Sequence, residues 1–263
     1  MTRDDAGAAS LLSLPPAYRV VAFDRVTSTN DEAARLAADG AEDGTLVWAR
    51  EQTAGRGRHG RTFISPPGNL YLSLILRPDC SPGEAAQLGF VAALAIADAI
   101  GTVTPPLMEV TFKWPNDVLL SGRKVAGILL EARTSPEGAL EWLILGLGIN
   151  VLSHPEKTDF PATSLVFEGA DPSLSDIVVL EAFARHFLAR VDTWLNDGFA
   201  PIRRAWLERA HALEQEIHVR LAHETLTGTF RDLDETGALV LDLPGGSRRI
   251  ITAGDVFFPP DKE

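Results

Sequence analysis

The tightest constraint on this chain is a change of texture near residue 213. Upstream, runs of strand length fall at 20–23, 45–51, 70–76, 110–114, 118–120, 125–131 and 142–151, interrupted by segments of helical length. Thr29 with Glu32 three residues on predicts a capping box and a helix ending near Gly40. Residues 82–100 have helical length, with Leu88, Val91, Ala92 and Ala95 on one face and Gly101 as a stop; 175–196 and 201–212 add two further helices. Downstream of 213 only short strands remain, at 216–221, 226–231, 238–243 and 248–252, separated by turns such as Asp234-Glu-Thr-Gly237 and Pro244-Gly-Gly246. The expected architecture is therefore α+β: a mixed sheet with covering helices over residues 1–212, then a small β-barrel over 213–263.

Composition narrows the classes. With 263 residues, 45% hydrophobic and 23% charged, the chain can bury a large core and is not disordered throughout. One cysteine, Cys80, excludes an intramolecular disulfide and a cysteine metal cage, and fits a reducing, cytoplasmic setting. Residues 1–10 are polar and acidic, and the apolar run after them stops at Pro15-Pro16, too short for a signal core or a membrane span. A formal net charge of -12 repels nucleic acid and predicts no DNA partner unless positive charge is focused locally.

One stretch does focus it. Thr53-Ala-Gly-Arg-Gly-Arg-His-Gly-Arg61 concentrates arginine and glycine behind a strand. Gly55, Gly57 and Gly60 satisfy G-x-G-x-x-G, but a dinucleotide site needs a helix starting at the glycines, and Ser65-Pro-Pro-Gly68 breaks the chain instead. No G-K-[ST] follows, so it is no Walker loop. A basic arm for nucleic acid lacks aromatic interleaving. Taken alone, the segment reads as a solvated surface loop. Its glycines allow close approach and its guanidinium forks suit a multiply charged anion, which would offset an ordering cost of about 1 to 2 kcal/mol per residue.

Other segments shift the balance toward a ligand. Lys113-Trp-Pro-Asn-Asp117 ends a strand with a cation, an amide and a carboxylate. Lys124 stands at a hairpin mouth built around Ser121-Gly122, ahead of a strand interrupted by Gly127. In Leu145-Gly-Leu-Gly-Ile-Asn150, Gly146 and Gly148 share one strand face and bare the backbone as a pocket floor. The six histidines show no zinc spacing, and Ser65, Ser73 and Ser164 lack a nucleophile elbow.

Taken together, Ser28-Thr-Asn30, Gln52 to Arg61, Ser65 to Ser73, Lys113 to Asp117, Arg123 to Ile128 and Gly146 to Asn150 closely resemble the biotin-protein ligases in order and spacing. The resemblance implies a catalytic domain of the fold shared with lipoate ligases and class II aminoacyl-tRNA synthetases, followed by an SH3-like barrel. It implies formation of biotinyl-5'-adenylate from biotin and MgATP, then transfer of biotin to one lysine of a biotin carboxyl carrier domain of a carboxylase.

Carried across, Ser28, Thr29, Asn30, Gln52, Arg56, Gly57, Arg58, Lys124 and Gly127 would serve biotin. Arg56, Arg58, Arg61, Lys113, Asn116, Asp117 and Asn150 would serve the nucleotide phosphates, with Asp117 as the magnesium ligand. Lys124 and Arg58 would be catalytic, and His59 is given no role. Fewer than twenty residues precede the first strand, so the resemblance implies a monofunctional ligase without a DNA-binding domain. A lipoate or octanoate ligase on the same fold is the nearest rival, a nucleic-acid-binding module the distant one. A homodimer through an exposed sheet edge stays open.

Overall fold

The computed structural model describes residues 12–106 and 108–258; the acidic segment 1–10 lies outside them. The larger unit is a seven-stranded mixed sheet in the order β1-β2-β3-β7-β6-β5-β4. Its strands are β1 (Arg19–Val26), β2 (Thr45–Gln52), β3 (Leu70–Leu76), β4 (Val110–Lys113), β5 (Asp117–Leu120), β6 (Arg123–Thr134) and β7 (Leu140–Ile149). Only the β1–β2 pair is parallel, because the helix α1 (Thr29–Ala38) carries the chain back between them; the remaining pairs are antiparallel.

Two helical layers cover the sheet. On one face lie the helices α3 (Leu88–Val103), preceded by the short α2 (Pro82–Ala85), α4 (Asp176–Asp197) and α5 (Phe199–Leu207), packed into the main core with residues such as Leu72, Leu145 and Phe183. On the other face, α1 closes a smaller cluster of Phe23, Val47, Ala33, Ile75 and Ile144. Because α1 is only ten residues long, it roofs β2, β3 and part of β7 and leaves the β6–β7 end of that face open. That opening becomes the site.

Local details depart from the sequence-based expectation in instructive ways. The cap of α1 is Ser28, whose hydroxyl accepts from Asp31 N at 3.5 Å, one residue earlier than the expected Thr29–Glu32 box. Thr29 is instead turned inward onto Gln52. The expected single helix over 82–100 divides, with a capping box of Ser81 and Glu84 starting α2, and α3 then runs through Gly101 to Val103. Rather than one apolar stripe, α3 is buried on nearly every side, being sandwiched between the sheet and α4. The last helix of the larger unit starts at Phe199 and ends at Leu207 rather than spanning 201–212. At the β5–β6 turn, Ser121 and Gly122 both take positive φ, 51° and 72°, as a tight hairpin with right-handed strand twist demands.

The C-terminal unit is a five-stranded antiparallel sheet, β11-β10-β9-β8-β12, formed by β8 (Glu216–Arg220), β9 (Thr225–Leu233), β10 (Leu239–Asp242), β11 (Arg248–Ile251) and β12 (Asp255–Phe257). The short β12 was not among the expected strands. Its position sets the shape. Only Thr252, Ala253 and Gly254 join the two edge strands, a reach of about 14 Å, whereas the edges of five flat strands would stand about 19 Å apart. The sheet must therefore curl, as a small SH3-like barrel does.

The two units share one core. Trp206 of α5 stacks on Phe112 of β4 with centroids 5.6 Å apart, and Phe230 of β9 meets the same indole at 6.5 Å, tilted by 58°. Trp114 donates its indole N–H to Gly237 O at 3.1 Å. Residues 209–211 add a parallel bridge to the exposed edge of β4, through Phe112 N to Arg209 O and His211 N to Phe112 O, both 2.8 Å. These contacts dock the C-terminal sheet beside the β4 edge of the main sheet.

Candidate active site

The floor of the site is bare backbone. Gly127 of β6 pairs with Gly148 of β7, and Gly146 lies two residues along, opposite Ser73 of β3. A β-carbon on Gly146 would fall 1.9 Å from Asn30 Oδ1, and one on Gly148 would fall 2.5 Å from the Phe63 ring. The glycines are there because side chains from α1 and the arginine loop occupy the space a methyl group would take.

Around this floor is a cavity of about 530 Å³ whose lining includes every candidate residue named from the sequence. Ser28, Thr29, Asn30 and Gln52 form its polar wall. Gln52 Oε1 accepts from Thr29 N at 2.8 Å and from Thr29 Oγ1 at 3.1 Å, while Gln52 Nε2 donates to Ser65 Oγ at 3.0 Å. Asn30 is 4% exposed; its Oδ1 accepts from Ser73 Oγ at 2.6 Å and its Nδ2 donates to Glu131 Oε2 at 2.7 Å. The wall is thus a set of oriented donors and acceptors in otherwise apolar surroundings.

Six cations from four segments face the same cavity: Arg56, Arg58, Arg61, Lys113, Lys124 and Lys157. The loop carrying the arginines is a narrow hairpin, with Phe63 N bonded to Gly55 O at 2.8 Å and Gly57 N to Arg61 O at 2.7 Å. Its tip is a single 3-10 turn at Arg58–Gly60, with exposed His59 in the left-handed region at φ 54°. No helix starts at the glycines, as a dinucleotide fingerprint would require.

Every arginine has a carboxylate partner. Arg56 makes a two-pronged contact with Glu131, at 2.9 and 2.7 Å, and a third with Asp31 at 2.7 Å. Arg58 and Arg61 both turn to Asp255 of β12, at 3.6 and 2.8 Å, and Arg58 also donates to Gly254 O and Asn116 Oδ1. Burial lowers the Arg58 pKa, and Asp255 only partly restores it.

Lys113 and Lys124 flank one carboxylate. Asp117 Oδ1 lies 2.5 Å from Lys124 Nζ, and its Oδ2 lies 3.3 Å from Lys113 Nζ. Burial opposes ionisation of Asp117, yet the two ammonium groups outweigh it and hold the carboxyl below its ordinary value. Burial likewise pushes the Lys113 ammonium down, with Asp117 pulling the other way. Lys113 Nζ also sits over the Phe160 ring, 5.1 Å from its centroid.

Asp117 is therefore engaged as a counter-ion on both oxygens rather than presented as an open ligand. Among the described residues no three carboxylate, histidine or cysteine groups gather into a metal site. The described residues do not build a magnesium cage, and an ion carried on a triphosphate needs none. Asn116 and Asn150 line the cavity while bracing backbone, through Nδ2 to Ile128 O at 2.6 Å and to Thr163 O at 2.9 Å.

Several residues of the site escaped the sequence reading. Phe63 lays its ring over Gly148 and Gly127 as an apolar cover. Glu131 left a trace, for Gly127, Leu129 and Glu131 fall on one strand face by the two-residue period. Asp255 left none, being 197 residues from Arg58 in a strand of three residues.

A model of the biotin/lipoate A/B protein ligase family matches residues 14–208, and a model of the biotin protein ligase C-terminal domain matches 212–258. The chain belongs to the biotin protein ligase family. Among its relatives in that family, a biotin--[acetyl-CoA-carboxylase] ligase of Paracoccus denitrificans is 44% identical over 242 residues, covering 89% of this chain and 98% of that one. The enzyme of the same name from Mycobacterium tuberculosis is 36% identical, covering 87% and 85%. The biotin protein ligase of Aquifex aeolicus, solved in complex with biotin and ATP, superposes with a TM-score of 0.76 at 28% identity, covering 91% of this chain and 97% of that one.

Proposed function

We propose that this chain is a biotin-protein ligase that joins biotin to AMP and passes the biotinyl group to a lysine of a biotin carboxyl carrier domain. The observation that carries the reading is one cavity in which an oriented polar wall, a glycine floor and six cations face each other. The wall of Thr29, Asn30 and Gln52 supplies both donors and acceptors, which a ureido ring requires. A lipoyl dithiolane ring has no hydrogen-bond donor to offer that wall and sulfur only as a weak acceptor. Nor does the loop act as a free basic arm for nucleic acid, since Arg56, Arg58 and Arg61 are each held by carboxylates.

In the first step a biotin carboxylate oxygen attacks the α-phosphorus of ATP, the P–O bond to the β-phosphate breaks, and pyrophosphate leaves. Negative charge builds on the α-phosphate oxygens, and Lys124 and Arg58 are the cations assigned to it; one contact at about 4 Å in a medium of effective dielectric near 20 is worth about 4 kcal/mol. Arg61 and Lys113 take the outer phosphates. In the second step the carrier lysine amine attacks the biotinyl carbonyl carbon, the C–O bond to AMP breaks, and the amine proton leaves to solvent. The nucleophile comes from the carrier, so the chain needs none of its own. The single cysteine, Cys80, suits a reducing cytoplasm, the location proposed for this reaction.

The test is an assay with biotin, ATP, magnesium and an apo carrier domain. Pyrophosphate release that depends on biotin, with the carrier gaining one biotinyl group on lysine, is the expected result. Carrier modification by lipoate or octanoate with no biotin binding by calorimetry would overturn the reading.

A further inference from the structure

The carboxylate of Glu131 does not line the cavity, yet two of the groups that do line it are held by it. Resting on the biotin ligase reading, we propose that Glu131 is a positioning residue that sets the polarity of the biotin-ring wall through Asn30 and seats the arginine loop through Arg56.

The argument starts from strand order. β7 lies between β3 and β6, and Gly146 of β7 faces Ser73 on one side and Leu129 on the other. The Asn30 amide lies across β7 in the space that a Gly146 side chain would fill. It reaches Ser73 of β3 with its oxygen, at 2.6 Å, and Glu131 of β6 with its nitrogen, at 2.7 Å. An amide so placed has two orientations related by a flip, and the partners choose between them. A carboxylate paired with a guanidinium only accepts, so the NH₂ of Asn30 must point to Glu131 and its carbonyl to the Ser73 hydroxyl.

That choice propagates along the wall. The Ser73 hydrogen is committed to Asn30 Oδ1, so its oxygen only accepts at Thr29 Oγ1, 2.8 Å away, and competes with Gln52 Oε1 at 3.1 Å for the single Thr29 hydroxyl hydrogen. At the far end the backbone N–H of Thr29, which can only donate, turns Gln52 so that Oε1 faces it and Nε2 faces Ser65. The donor and acceptor pattern offered to a ligand is thus set at one end by Glu131 and at the other by the Thr29 backbone. The same Glu131 carboxylate makes two of the three charge-assisted contacts of Arg56, the third going to Asp31, so the ring wall and the loop that covers it share an anchor.

The replacement Glu131→Gln keeps the shape, removes the charge and lets the side chain donate, so Asn30 loses its single preferred orientation. Biotin affinity measured by calorimetry should fall about tenfold or more, and loss of preformed biotinyl-adenylate should accelerate by a similar factor, while the KM for ATP moves less than about threefold. The proposal is overturned if Glu131→Gln binds biotin within about twofold of the parent chain, or if biotin and ATP parameters deteriorate together. Biotin-dependent pyrophosphate release by the parent chain is measured alongside; its absence would sink the ligase reading, a separate failure from an unaltered Glu131→Gln.

Discussion

Asp117 Oδ1 lies 2.5 Å from Lys124 Nζ, and this buried contact sits at the junction of the two hairpin strands β5 and β6. Asp117 also holds Lys113 from its other oxygen. Removing its charge by Asp117→Asn leaves two ammonium groups facing each other in a largely buried place. Native stability at neutral pH should fall by about 3 kcal/mol in urea denaturation. The native carboxyl titrates below its ordinary value of 3.8. Its contribution to stability is therefore present above that value and is lost as pH falls through the lower native one. Thermal melts of Asp117→Asn should accordingly show a flatter loss of stability on the acid side of about pH 4 than those of the parent chain.

Lys124 is one of the two cations proposed above to meet the charge that builds on the α-phosphate. Lys124→Ala should lower biotin-dependent pyrophosphate release by about a hundredfold or more, on the scale of losing one oxyanion donor. Release within about threefold of the parent rate would remove Lys124 from that role.

The arginine loop is tied to the C-terminal unit through Asp255, which holds Arg61 at 2.8 Å and Arg58 at 3.6 Å. Arg58 and Asp255 are only 18% and 19% exposed, so Asp255→Ala should lower global stability by about 1 to 3 kcal/mol through the uncompensated Arg58. Local opening is another matter. Tryptic cleavage at Arg58 and Arg61 in the ligand-free protein should accelerate about fivefold, read by mass spectrometry, and biotin with ATP should suppress it. Equal cleavage rates would mean that the hairpin bonds alone close the loop.

Gly146 is required by contact and not by backbone conformation. In Gly146→Ala the new methyl would stand 1.9 Å from Asn30 Oδ1 and 2.8 Å from its Cγ. The amide must move off its bridge between Ser73 and Glu131. The expected outcome is a stability loss of about 1 to 3 kcal/mol and a weakened biotin titration. Unchanged calorimetric affinity would show that Asn30 can be relocated without consequence for the ligand.

Much of this site was legible before the fold was known, for a reason visible in particular residues. Gly146 and Gly148 sit two apart in an apolar run, and Lys124, Arg56 and Arg58 stand beside or near glycines, so composition and spacing within a few residues already pointed to a pocket and an anion. The strands were legible because their apolar runs are short and bounded by turn residues. The capping register of α1 was not, since Ser28 and Thr29 are equivalent as caps and only the inward contact of Thr29 with Gln52 decides between them. The break between α2 and α3 and the full burial of α3 likewise depend on what packs around them.

What the order of residues determined by itself was local: which segments become strands, where backbone is bared, and which segments carry positive charge. What only the tertiary structure decided was the pairing of those charges. Glu131 meets Arg56 across 75 residues, and Asp255 meets Arg61 across 194. Electrostatic partners are chosen by distance in space, which strand order and the docking of the C-terminal sheet set, and no periodicity along the chain records that distance.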